Sequence, residues 1–113
     1  MVMRNILKLN QLFFKFSNEN VLLYRGMSYS AFQEFLKNGF KKTLHKGNVA
    51  SKNITTAELY AKDHDQDEDE AALVIKFIAP LDAIEFDEWF PDDCRFIKDF
   101  FPLKWELVSR QRI

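Results

Sequence analysis

Leu73-Val74-Ile75-Lys76-Phe77-Ile78-Ala79-Pro80 is the stretch on which the fold turns. It is short, nearly all apolar and closed by a proline, which reads as a strand buried in a sheet. A buried strand needs neighbours, and two segments fit. Val21-Leu22-Leu23-Tyr24 is an apolar run of strand formers that follows the turn-prone Ser17-Asn18-Glu19-Asn20. In residues 103–108, Leu103, Trp105 and Leu107 alternate with Lys104, Glu106 and Val108, so the two sets lie on opposite faces of a final strand.

The segments between these strands carry helical signals. Ser30 precedes Gln33 at capping-box spacing, and Phe32, Phe35 and Leu36 lie along one face until Asn38-Gly39 supplies a left-handed stop. Thr55 and Glu58 repeat that spacing ahead of Ala57, Tyr60 and Ala61, in a helix expected to run through Lys62. Asp92 and Asp93 are read as caps of a further short helix that carries Phe96, Ile97, Phe100 and Phe101 and ends at Pro102. Ile6, Leu9, Leu12, Phe13 and Phe16 recur at helical spacing, which predicts an amphipathic N-terminal helix at about residues 4–16. Residues 40–53 are basic and turn-rich, ending in Val49-Ala50-Ser51 as a brief strand. The expectation is one small α/β domain of the α+β kind spanning residues 1–113, with a mixed or antiparallel sheet and several short helices.

Composition agrees with one core. A chain of 113 residues has room for a single domain, and 47% apolar residues with 12 Phe and 2 Trp supply large side chains to fill it. Sixteen Lys and Arg against 17 Asp and Glu leave a formal charge of -1, so no general attraction to nucleic acid or anionic lipid is written into the composition. Arg4, Lys8 and Lys15 interrupt the N-terminal apolar residues, so neither a signal-peptide core nor a membrane span is expected there. The one cysteine, Cys94, excludes an internal disulfide and fits a reducing compartment, so a cytoplasmic protein is expected.

Several familiar sites fail on inspection. The acidic run at residues 63–70 has alternating carboxylates, but Glu68 stands where a calcium loop needs glycine and Val74 where it needs a bidentate glutamate. It reads as a solvated loop between helix and strand. His45 and His64 have no second histidine or cysteine near them, and no metal site is expected. Serine-hydrolase and phosphate-loop patterns are missing, Cys94 has no local activating group, and the aromatics fall at core spacings.

Three pieces occur in an informative order: Leu23-Tyr24-Arg25-Gly26, then Val49-Ala50-Ser51 followed by Ala57 and Tyr60-Ala61, and last Trp105-Glu106-Leu107-Val108, with the apolar strand at 73–80 before the last. This arrangement resembles the ADP-ribosyltransferase superfamily, whose fold carries an Arg on an early strand, a Ser ahead of a short helix and a Glu on a late strand. The sequence departs from the family pattern in two respects. Lys52 and Asn53 stand where a second Ser or Thr often follows the first, and Lys104 stands two residues before Glu106 where Gln or Glu is common.

The resemblance implies that NAD is the substrate and that ADP-ribose passes to a protein acceptor. It assigns Glu106, Arg25 and Ser51 to catalysis and Arg25, Gly26, Ser51 and Tyr60 to NAD, with Glu88 as the reserve carboxylate. The chemistry suits those residue types. Breaking the nicotinamide–ribose bond passes through an oxocarbenium-like state that a carboxylate stabilises, and a guanidinium fork suits a pyrophosphate. A convergence of Arg25, Ser51 and Glu106 on one cleft is therefore expected. Two other readings use the same fold: an NAD glycohydrolase with water as acceptor, and a non-catalytic inhibitor, from a virus or mobile element, that occludes a protein partner through the acidic run.

Overall fold

The computed structural model describes residues 19–45, 47–68 and 72–111, with backbone alone for 63–68 and 109–111. The expected helix at residues 4–16 lies outside the described residues. The elements run β1 (Asn20–Ser28), α1 (Tyr29–Asn38), β2 (Ala50–Ser51), α2 (Ile54–Glu68), β3 (Ala72–Pro80), a 3-10 turn (Leu81–Ala83), β4 (Ile84–Phe86), β5 (Asp93–Phe96) and β6 (Trp105–Gln111). The strands form one six-stranded antiparallel sheet in the order β4-β5-β2-β1-β3-β6. The result is a single-domain α+β architecture with two α-helices among the described residues.

β3 is the centre, as its apolar run requires. It pairs along its whole length with β1, from Asn20 opposite Pro80 to Ser28 opposite Ala72, and on its other side with β6. β1 continues past Arg25 to Ser28 through its pairing with β3, and at Gly26 the backbone of α2 packs directly against it. A Cβ on Gly26 would lie 2.0 Å from the Ala57 carbonyl oxygen and 2.6 Å from the Ala61 nitrogen. Glycine is what lets helix and strand approach this closely. Ala57 and Ala61 of α2 are fully buried there with Ala72 and Val74 of β3.

The opposite face of the sheet holds the larger core. Leu23 and Met27 of β1, Ile75 and Phe77 of β3, Ala50 of β2, and Cys94 and Phe96 of β5 pack there with Phe35 of α1 and Phe40. Phe40 lies at the middle of the aromatic group, with ring centroids 4.4 Å from Phe35, 4.7 Å from Phe77 and 5.0 Å from Phe96.

Several boundaries differ from the sequence reading. The N-cap of α1 is Ser28, whose Oγ accepts from the Ala31 N–H at 3.2 Å, two residues before the expected Ser30. Its stop is at Gly39, as expected, with φ 72°. For α2 the first side-chain acceptor is Asn53, whose Oδ1 receives the Thr55 N–H at 2.8 Å. The helix then runs through Glu68 rather than ending at Lys62, so most of the acidic run continues the helix instead of forming a loop. The largest change is at residues 92–101, where a strand, β5, replaces the expected helix. Cys94 and Phe96 are buried at a period of two, opposite Ala50 of β2 and Ile84 of β4. Those partners are remote in sequence, and they override the local capping signal.

Candidate functional site

Cross-strand pairing decides which of the sequence-derived residues meet. Tyr24 lies opposite Ser51 and Lys76, Ser51 opposite Asp93, and Lys76 opposite Glu106. Directly opposed residues project on one face, so Glu106, Lys76, Tyr24, Ser51 and Asp93 form a row on the side covered by α2. Arg25 follows Tyr24 by one residue and projects to the other face. There its guanidinium carbon sits 5.6 Å from the Phe40 ring centroid and 5.7 Å from that of Phe96.

Ser51 and Asp93 are in direct contact. The fully buried Ser51 Oγ donates to Asp93 Oδ1 at 2.7 Å and accepts from the Asn53 N–H at 3.0 Å. The hydroxyl therefore ties the carboxylate to the turn that begins α2. Tyr60, on the second turn of that helix, feels the same carboxylate. Burial first, and then the negative charge of Asp93, pushes its phenol above the usual range. Next to the pair lies a groove of about 240 Å³ lined by Asn53, Thr56, Trp89, Phe90, Asp92 and Asp93. Trp89 and Phe90 are 83% and 64% exposed, so their ring faces are open to a ligand.

Asp87 fixes the turn that presents them. Its Oδ1 accepts the backbone N–H groups of Trp89 at 2.7 Å and Phe90 at 3.1 Å, and its Oδ2 accepts from Asn48 Nδ2 at 2.9 Å. The Asn48 hydrogen bond first, and then the two backbone N–H groups, hold the Asp87 carboxyl below its usual range.

The other sequence-derived residues lie elsewhere. Glu106 shares the row but stands three strands from Ser51, roughly 14 Å away at the usual strand spacing. Its Oε1 pairs with Lys76 Nζ at 2.9 Å, and its side chain is 63% exposed. Glu106 and Arg25 are on opposite faces, so the structure does not gather Arg25, Ser51 and Glu106 into one cleft. Gly26 is covered by α2 and presents no free backbone to a ligand. Glu88 is exposed in the turn after β4, in a groove with Asn48, Glu85, Phe86, Asp87, Trp89 and Arg95 that includes neither Arg25 nor Ser51.

Asp93, read from the sequence as a helix cap, instead begins β5, where it accepts from Ser51 and lines the groove. Among the described residues no group of three or more His, Cys, Asp or Glu could hold a metal ion, and no helix is long and apolar enough to cross a membrane. No protein-family model, no curated protein and no solved structure matches the chain.

Proposed function

We propose that the chain is an ADP-ribosyltransferase-like domain that cleaves NAD at the Ser51–Asp93 pair and passes ADP-ribose to a protein acceptor. The observation that carries this reading is the 2.7 Å hydrogen bond that holds a carboxylate at the rim of a groove with exposed aromatic walls. The Ser51 strand directly ahead of α2 and the Tyr60 helix that follows support it, because both belong to the family resemblance. Asp93 takes the role that the sequence alone gave to Glu106.

The chemistry follows from the groups available. The nicotinamide–ribose bond breaks with its electron pair leaving on nicotinamide, and positive charge develops on the ribose. An ionised Asp93, oriented by the Ser51 hydroxyl, stabilises that charge, as a carboxylate does in glycoside cleavage. The acceptor's nucleophile then bonds to the same carbon and gives up its proton to solvent water. Trp89 and Phe90 offer flat apolar faces to nicotinamide. At about 240 Å³ the groove is below the usual range of about 300–1,000 Å³ for small-molecule sites, so it accommodates the nicotinamide end while the rest of NAD lies along the surface.

The exposed Trp89 and Phe90 also favour a second reading, a non-catalytic protein that uses these rings to occlude a partner. Large exposed aromatics are typical of interface anchors. Incubation with NAD separates the two. Nicotinamide release, with or without mass added to a protein, supports catalysis, and its absence at high enzyme concentration supports occlusion.

A further inference from the structure

β1 and β3 are interior strands of the sheet, yet among the described residues one end of the face that carries α2 is left bare. α2 covers the other end, where Gly26, Ala72 and Val74 are buried beneath it. Toward the start of β1 that cover stops. Leu22 is 46% exposed, whereas Leu23, its neighbour on the opposite face, is completely buried. Leu22 lies opposite the half-buried Ile78 of β3. With Leu103, Trp105, Lys76 and Glu106 these two residues line an open groove of about 620 Å³ across β1, β3 and β6. A central strand that buries its small residues under a helix at one end and shows a leucine at the other is half of a two-layer arrangement.

The missing half has a candidate immediately upstream. The Leu81 N–H donates to the Glu19 carbonyl at 2.9 Å, which fixes the start of β1 beside the Pro80 end of β3, next to the bare face. From residue 16 to Asn20 the chain spans at most about 14 Å. Ile6, Leu9, Leu12, Phe13 and Phe16 recur at steps of three and four, while Arg4, Lys8 and Lys15 recur at steps of four and seven and fall on a separate side of the same helical pattern. Such a pattern demands an apolar surface on one side and water on the other. A helix over residues 4–16 is about 20 Å long and about 10 Å across, enough to cover three strands about 4.8 Å apart.

We propose that residues 4–16 lie across this groove as a helix, with their apolar side on Leu22, Ile78 and Leu103, and form one layer with α2. The short link from residue 16 to Asn20 selects this occupant over a separate molecule, because it holds the segment beside the groove. Arg4, Lys8 and Lys15 then face solvent, and Glu106 with Lys76 sits at the edge of the covered surface. The proposal does not rest on NAD cleavage and stands or falls separately from it.

Thiol reactivity in the full chain tests this, because the fully buried Cys94 gives little background. Leu22→Cys and Leu59→Cys place thiols at two leucines of similar exposure among the described residues, 46% and 57%, the second on α2 outside the groove. With each rate normalised to that in denaturant, Leu22→Cys is expected to react about tenfold or more slowly than Leu59→Cys, and adding Phe13→Asp is expected to remove that protection. Equal rates at the two positions overturn the proposal. Protection that Phe13→Asp leaves intact overturns the choice of occupant, and protection lost on dilution gives the groove to a second copy of the chain instead. Mass spectrometry of the labelled peptides shows whether Cys94 stays unreactive and the fold therefore survives. Where Phe13→Asp exposes Cys94, the milder Leu9→Ala takes its place, and failure of that variant to speed labelling of Leu22→Cys overturns the proposal.

Discussion

Ser51 and Asp93 face each other across β2 and β5, and the Ser51 hydroxyl uses both of its hydrogen-bonding functions at once. It donates to Asp93 Oδ1 at 2.7 Å and accepts from Asn53 at 3.0 Å, so the carboxylate, the strand and the start of α2 are held by one oxygen. Ser51→Ala leaves the Asn53 N–H and one carboxylate oxygen without their partner. A loss of about 1–3 kcal/mol is expected by urea denaturation, the range for leaving a buried donor or acceptor unsatisfied. A change below about 0.5 kcal/mol, the size of an ordinary surface substitution, would show that the hydroxyl is not a structural tie.

Gly26→Ala tests how α2 is seated. The added methyl meets backbone atoms of Ala57 and Ala61 rather than a movable side chain, so the helix must shift as a body. Overpacking of this kind costs about 1–3 kcal/mol, occasionally more. Because α2 also carries Tyr60, the variant is expected to lose NAD turnover along with stability. An unchanged denaturation midpoint contradicts the packing described.

Cys94 supplies a pH signature. The thiol is fully buried in the aromatic core, and burial, followed by the charge of Asp93, pushes its pKa from 9.0 to about 12. Between those values the unfolded chain gives up the thiol proton and the folded chain keeps it, so stability falls as pH rises from about 9 to about 12. Arg25 acts in the opposite sense over part of this window, since burial lowers its pKa to about 10 and its charged form is disfavoured on folding. The Cys94 contribution is therefore isolated as the stability difference between wild type and Cys94→Ala, which is expected to shrink across that window. At neutral pH the thiol should react with an aromatic disulfide reagent only as fast as the protein opens. Rapid reaction of the folded protein contradicts its burial.

What the sequence disclosed follows from how far each signal reaches. β3 was visible because six of the seven residues from Leu73 to Ala79 are apolar, and α1 because a glycine with positive φ ends it. β4 and β5 were not, because Cys94 and Phe96 are strand residues only by virtue of Ala50 and Ile84, which pair with them from afar. The site divided in the same way. Arg25 and Ser51 were correctly placed on the first two strands, but a one-residue offset in pairing puts Tyr24, not Arg25, beside Ser51. Since side chains alternate between faces, that single step carries Arg25 to the opposite side of the sheet. Asp93 could be assigned to Ser51 only once β2 and β5 were known to be neighbours.

The central claim is that Asp93, and not Glu106, is the carboxylate beside the reacting sugar. Nicotinamide release from NAD by wild type, Asp93→Asn and Glu106→Gln measures it most directly. Asn keeps an oxygen for the Ser51 hydroxyl and removes the charge, so Asp93→Asn is expected to lose about a hundredfold or more in turnover, on the order of 3 kcal/mol of transition-state stabilisation. Glu106→Gln, which removes the charge paired with Lys76 three strands away from Ser51, is expected to turn over NAD at the wild-type rate. Full activity of Asp93→Asn together with a hundredfold loss in Glu106→Gln would contradict the account, and no release by the wild-type protein would remove catalysis from it altogether.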